Sequence, residues 1–179
     1  MDQSQVLVQE FQETFGHPVA QGPTAMAPDR ALARMTWTAE ECIEFLAASV
    51  TNKEDFAKLY YAFEDGMKKA YMKSLDGEFP QTEEDIIVAQ TDALADQSYF
   101  VNGSAVEIGI DLGHVTGIVH ASNMSKLFTD DNGNKYVKYD ENNGMKVMKS
   151  PEFFPPEENL RAYIQAERQS VLEEMLKAK

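Results

Sequence analysis

Thr38-Ala39-Glu40-Glu41-Cys42-Ile43-Glu44 is the stretch on which the fold turns. It lies in a run free of Gly and Pro, residues 29–50, with Leu32, Met35, Ile43 and Leu46 at helical spacing. At about 100° per residue, Glu40 and Glu44 fall roughly 40° apart, and Glu41 about 100° from Glu40. Trp37, Ala47 and Ala48 share that arc, with Ile43 at its edge. The acids therefore sit within an apolar stripe, where a helix faces its core. A plainer reading stands beside this one. Thr38 to Glu41 matches a capping box, with Thr38 as N-cap and Glu41 at N3, and acidic runs are usually solvated faces.

Helical spacing continues on both sides. Residues 4–15 place Val8, Phe11 and Phe15 on one face and stop at Gly16; 17–28, rich in Gly and Pro, read as an ordered loop. Residues 53–75 repeat the pattern with Phe56, Leu59, Tyr60, Phe63, Met67 and Tyr71, despite Gly66. Further helices are predicted over 83–109, over 111–127 with Asp111 as N-cap, and over 157–177 through Leu160, Ile164, Val171, Leu172 and Met175. Between the last two, Asp130-Asp131-Asn132-Gly133 is a turn. Two short strands within 135–149 flank Asn142-Asn143-Gly144, and Pro151 to Pro156 is extended. The fold class is all-α, a helical bundle with a small β-hairpin near the C-terminus. The chain reads as one domain, 1–179, with 53–75 as an inserted helix.

A second acidic stripe lies on the 83–109 helix. Asp92, Asp96 and Tyr99 fall within about 60° of one another. Val88, Ala89, Ala95 and Gly103 flank them, small enough to admit another helix. Packing the two stripes together would gather up to five carboxylates in a partly desolvated space, which like charge and burial both oppose. A hard divalent cation resolves that conflict, and magnesium suits carboxylate oxygen. A third element, His120, Asn123 and Lys126, recurs every three residues. Its Lys and Asn are suitable phosphate ligands, or Lys126 merely complements the end of a helix dipole.

Charge and composition narrow the classes. With 30 acidic against 16 basic residues in 179, the net charge of −14 disfavours nonspecific binding to nucleic acid or anionic lipid. The hydrophobic share of 43% is too high for disorder. The start, Met1 to Gln5, has no basic region, and no apolar run approaches the roughly 20 residues of a membrane span. Cys42 is the single cysteine, which fits a reducing, cytoplasmic setting and is expected to be a small buried hydrophobe. No glycine-rich phosphate loop ending in Gly-Lys-Ser/Thr occurs, nor a Cys-x-x-Cys or His-Glu-x-x-His motif. The Asp130 turn departs from a calcium loop, because Gly133 comes three residues after Asp130 instead of five.

Taken together, these pieces resemble the all-α nucleoside triphosphate pyrophosphatase superfamily, in its MazG-like, phosphoribosyl-ATP pyrophosphohydrolase-like branch, which includes dUTP pyrophosphatase-type enzymes. The resemblance rests on Phe15-Gly16-His17-Pro18-Val19, on Glu40-Glu41-Cys42-Ile43-Glu44 as a Glu-Glu-x-x-Glu motif, and on Asp92-Ala93-Leu94-Ala95-Asp96 followed by Tyr99 and Gly103. Ser122-Asn123-Met124-Ser125-Lys126-Leu127, then Pro155-Pro156 after a hairpin, complete it; the Ser-Asn-Met-Ser-Lys string is its most specific part.

The resemblance implies a magnesium-dependent enzyme, with manganese as the alternative ion, that cleaves between the α and β phosphates to release a nucleotide monophosphate and pyrophosphate. Its substrate would be a nucleoside triphosphate, dUTP or a non-canonical nucleotide among them. Glu40 and Glu41 would be the catalytic carboxylates, Glu41, Glu44, Asp92 and Asp96 the metal ligands, and Tyr99, Asn123 and Lys126 the substrate contacts. One departure concerns the second motif: the family's usual Glu-x-x-Asp would put a glutamate at 93, where this chain has Ala93, so either Asp92 substitutes from one position earlier or the set lacks one ligand. The other is the 47-residue gap between Glu44 and Asp92, longer than usual. The rival readings are a phosphoribosyl-ATP pyrophosphohydrolase of histidine synthesis and a non-catalytic helical interaction protein. The broad apolar stripe on 53–75 predicts a homodimer or higher homo-oligomer.

Overall fold

A computed structural model describes residues 1–141 and 146–177. Six helices carry the fold: α1 (Gln3–Thr14), α2 (Pro28–Ala48), α3 (Lys53–Leu75), α4 (Glu83–Ile108), α5 (Leu112–Met124) and α6 (Glu157–Lys177). Between α5 and α6 lie four two-residue strands, β1 (Phe128–Thr129), β2 (Lys135–Tyr136), β3 (Tyr139–Asp140) and β4 (Lys146–Val147). They form two antiparallel ladders, with Phe128 opposite Tyr136 and Tyr139 opposite Val147. The expected hairpin is therefore β3–β4; its Asn142-Asn143-Gly144 turn lies outside the described residues. A further ladder, β1–β2, closes over the Asp130 turn, where only a turn was predicted.

Where the sequence reads as one domain with an added helix, the backbone groups into two compact units, residues 22–96 and residues 1–21 with 97–179. In the first, α3 packs against α2. Pro28 opens α2, with its fixed φ already suited to the first helical turn. Asn52 caps α3 by accepting from the Asp55 amide at 2.9 Å. Ahead of α4, Thr82 Oγ1 accepts from the Asp85 amide while Asp85 Oδ2 accepts from the Thr82 amide, at 3.1 and 3.2 Å. That reciprocal pair is a capping box with aspartate at N3. The capping reading of Thr38 is thereby corrected: Thr38 lies well inside α2, and its hydroxyl donates to the Arg34 carbonyl at 3.1 Å. Gln90 on α4 clasps the backbone of Met26, accepting from its amide at 2.8 Å and donating to its carbonyl at 2.9 Å. The loop before α2 is pinned there.

In the second unit α5 packs against α1 and α6. Gly16, at φ +66°, ends α1, and the His17 amide returns to the Gln12 carbonyl at 2.8 Å. The same device separates α4 from α5. Gly109 adopts φ +71°, with Ile110 donating to the Ala105 carbonyl and Gly109 to that of Val106. Asp111 then caps α5 as expected, accepting from the His114 amide at 3.1 Å. Phe15, 1% exposed, is the most buried side chain, stacked on Phe11 at 4.3 Å; its carbonyl accepts from the Tyr139 hydroxyl. Tyr163 of α6 stacks on His114 at 4.8 Å, and its hydroxyl accepts from the Asp111 amide.

Candidate functional site

The acidic residues all belong to the 22–96 unit. Glu40, Glu41 and Glu44 lie within about one turn of α2, and Asp92 and Asp96 are one turn apart on α4. All five are exposed, against the expectation of a partly desolvated cluster. Among the described residues no group of three or more His, Cys, Asp or Glu side chains is placed to hold a metal ion, so the five carboxylates do not form a ready cation cluster within one chain. The physical reason is twofold. Uncompensated carboxylates gain more from water than from each other. In addition, Gln90 docks on the entry to α2, and Glu40 lies twelve residues beyond Pro28, about 18 Å of helix away.

None of the five carboxylates forms an ion pair among the described residues; the pairs there are Lys58–Asp55, Lys68–Glu64 and His120–Glu10. Hard oxygen donors left free of lysine and arginine suit a divalent cation in chemistry, though not by convergence within one chain. The arc expected to be core is not buried either. Trp37 is exposed, with the guanidinium carbons of Arg30 and Arg34 at 5.2 and 5.8 Å from its ring. Partial burial, with Arg30 beside it, lowers the Arg34 pKa from its ordinary value. Cys42 is exposed, which corrects the reading of it as a buried hydrophobe. It falls on the same uncovered helix.

The predicted substrate contacts belong to the other unit. Tyr99, 78% exposed, meets Phe100 edge to face. The His120–Asn123–Lys126 face divides. His120 turns to α1, with Nε2 at 3.3 Å from Glu10, whereas Lys126 Nζ donates to Asn123 Oδ1 at 2.6 Å. Lys126 is half-buried, and its pKa is lowered by that burial and then by Lys149 and Lys146. Both of those lysines escaped the sequence reading. The available signal was local charge reversal: Lys135, Lys138, Lys146 and Lys149 cluster in a strongly acidic chain.

The serines around Lys126 have structural duties. Ser122, 3% exposed, donates to the Phe154 carbonyl at 2.8 Å. Ser125 Oγ donates to the Ser122 carbonyl and accepts from the Phe154 amide. Ser150, also buried, donates to the Ser125 carbonyl at 2.8 Å and accepts from the Glu152 amide. Three hydroxyls thus fasten the end of α5 to residues 150–154.

The sequence profile of the phosphoribosyl-ATP pyrophosphohydrolase family matches residues 8–123, a span that holds Glu40 to Glu44, Asp92, Asp96 and Asn123. A crystal structure of a protein from Exiguobacterium sp. 255-15, described as a putative NTP pyrophosphohydrolase, is similar with a TM-score of 0.86 at 39% identity. The match covers 93% of this chain and 96% of that one. No curated protein matches the chain.

Proposed function

The chain belongs to the phosphoribosyl-ATP pyrophosphohydrolase family, and from that premise we propose that it cleaves the α–β phosphoanhydride of a nucleoside triphosphate. Water attacks the α-phosphorus, the bond to the bridging oxygen breaks, and nucleotide monophosphate and pyrophosphate leave. Glu40 or Glu41 takes the proton from the water. Glu41, Glu44, Asp92 and Asp96 would hold magnesium, or manganese in its place, once assembly of chains brings them together, since one chain alone does not gather them into a cation cluster. When bound, the ion lowers the pKa of water and neutralises charge on the phosphoryl oxygens. Lys126, oriented by Asn123, meets phosphate, and Tyr99 packs against base or sugar. The supporting observation is the set of five exposed carboxylates, none in an ion pair among the described residues, on two helices within the family-matched span.

The working form in this reading is a homodimer or higher homo-oligomer. No side chain of α2 or α3 is buried, while Phe45, Tyr61, Met67, Tyr71 and Met72 are more than half exposed. A second copy would cover that surface. No helix among the described residues is long and apolar enough to cross a membrane, and the proposed setting is the cytoplasm. Pyrophosphate release from a panel of nucleoside triphosphates with magnesium, dUTP included, tests the activity. Phosphoribosyl-ATP belongs in the panel because the matched family carries its name; exclusive turnover of it would replace the first reading.

A further inference from the structure

The hydroxyl lattice that fastens α5 to residues 150–154 also sets two lysines side by side. Lys126 follows Ser125, Lys149 precedes Ser150, and the Ser150 hydroxyl donates to the Ser125 carbonyl at 2.8 Å. Strand β4 brings Lys146 to the same end, its ladder continued by the Met148 amide donating to the Lys138 carbonyl at 2.9 Å. Burial first, then Lys149 and Lys146, lowers the proton affinity of Lys126, so both neighbours lie within electrostatic reach of its ammonium group.

Their partners are neutral where partners exist. Lys126 Nζ rests on the Asn123 amide oxygen, and Lys149 Nζ lies over the Phe153 ring at 4.4 Å. No ion pair among the described residues uses any of the three. Two acids stand nearby: Asp140, opposite Lys146 across the ladder, and Glu152, which lines a cleft of about 270 Å³ with Ser125, Lys135 and Phe154. With 30 acidic residues available, a chain that gathers three lysines, two of them on neutral supports and none in an ion pair among the described residues, keeps positive charge for an external anion.

We propose that Lys126, Lys146 and Lys149 form a seat for the polyphosphate chain of the substrate, with Asn123 and the Ser125–Ser150 bond as positioning elements. The assignment of that anion to a nucleotide rests on the proposed function; the seat itself does not. Lys146 and Lys149 lie beyond residue 123, outside the family-matched span.

Inorganic pyrophosphate titrated by calorimetry into the full-length, magnesium-free protein is the probe. Wild type is expected to bind it, with affinity falling as salt rises. Lys149→Gln should weaken binding by roughly tenfold and Lys146→Gln by severalfold, while Lys149→Arg retains most of it and Lys68→Gln, on α3, changes nothing. In turnover, Lys149→Gln should raise KM more than it lowers kcat. Unchanged binding in both Gln variants overturns the seat, as does absence of wild-type binding at millimolar pyrophosphate. Lysine-dependent pyrophosphate binding by a protein inactive on every nucleotide would instead sink the proposed function and keep the seat. Displacement of pyrophosphate by a micromolar single-stranded oligonucleotide would reassign it to a nucleic-acid backbone and overturn the proposal.

Discussion

The junction between α5 and residues 150–154 and the paired helices α2 and α3 solve opposite problems. The junction buries Ser122, Leu127 and Ser150 and satisfies their polar atoms with bonds from the same chain. The helix pair fully buries no side chain and leaves Glu40, Glu41 and Glu44 in water together with Trp37, Phe45, Tyr61 and Tyr71. One region is finished by its own sequence. The other has the composition of a core and an ion site without the enclosure either requires.

The largest effect should come from breaking the acidic side of that contrast. Asp96→Asn changes one charge at nearly constant shape. It is expected to lower pyrophosphate release by at least about a hundredfold, and the melting temperature of the metal-free protein should not fall. Magnesium should raise the wild-type melting temperature, as any ligand of the native state does, and the variant should lose most of that rise. Near-normal turnover by Asp96→Asn would remove Asp96 from the site.

Next comes the uncovered surface. Wild type at micromolar concentration should show a multiple of the single-chain mass by light scattering. Met67→Glu with Tyr71→Glu, both exposed on α3, should drive it toward the single-chain mass. A wild-type protein of single-chain mass would break the homo-oligomer reading.

A smaller effect sharpens the comparison from the finished side. Ser150→Ala removes the donor to the Ser125 carbonyl and the acceptor of the Glu152 amide, which should destabilise by about 1–3 kcal/mol in urea unfolding at fixed protein concentration. Glu41→Gln on exposed α2 should stay within about 0.5 kcal/mol of wild type. Equal effects would erase the distinction between the two regions.

The same division explains what the sequence made legible. Helices α3 and α6 were readable to the residue, because apolar spacing and capping chemistry are local. The break at Gly109 was half-visible: Asp111 announced the start of α5, but the left-handed turn that ends α4 has no periodicity to detect. Thr38-x-x-Glu41 and Thr82-x-x-Asp85 look alike as strings, and only the second begins a helix, because ten residues of helix already precede Thr38. The acidic stripes were visible as stripes. Their placement in water was not, since it depends on contacts such as Gln90 with Met26, 64 residues apart. The serine bonds that place Lys126 span 25 to 32 residues, beyond any local pattern.

The smallest effect tests the lysine seat through proton linkage. Burial and two neighbouring ammonium groups lower the Lys126 pKa below its ordinary 10.5. Between the lowered folded value and the unfolded one, the unfolded chain binds more protons, so this group's contribution to stability rises with pH. Below the folded pKa its charged form carries a constant penalty, reduced by partial exposure to solvent. Lys126→Met removes the penalty at neutral pH and cannot titrate. The stability of wild type relative to the variant should therefore improve as the pH is raised toward 10.5, read from urea midpoints at matched protein concentration. Pyrophosphate stabilises the charged ammonium, so at saturation it should shift this improvement to higher pH. A wild-type to variant difference that stays flat with pH, with and without pyrophosphate, would mean that Lys126 does not share a field with Lys146 and Lys149.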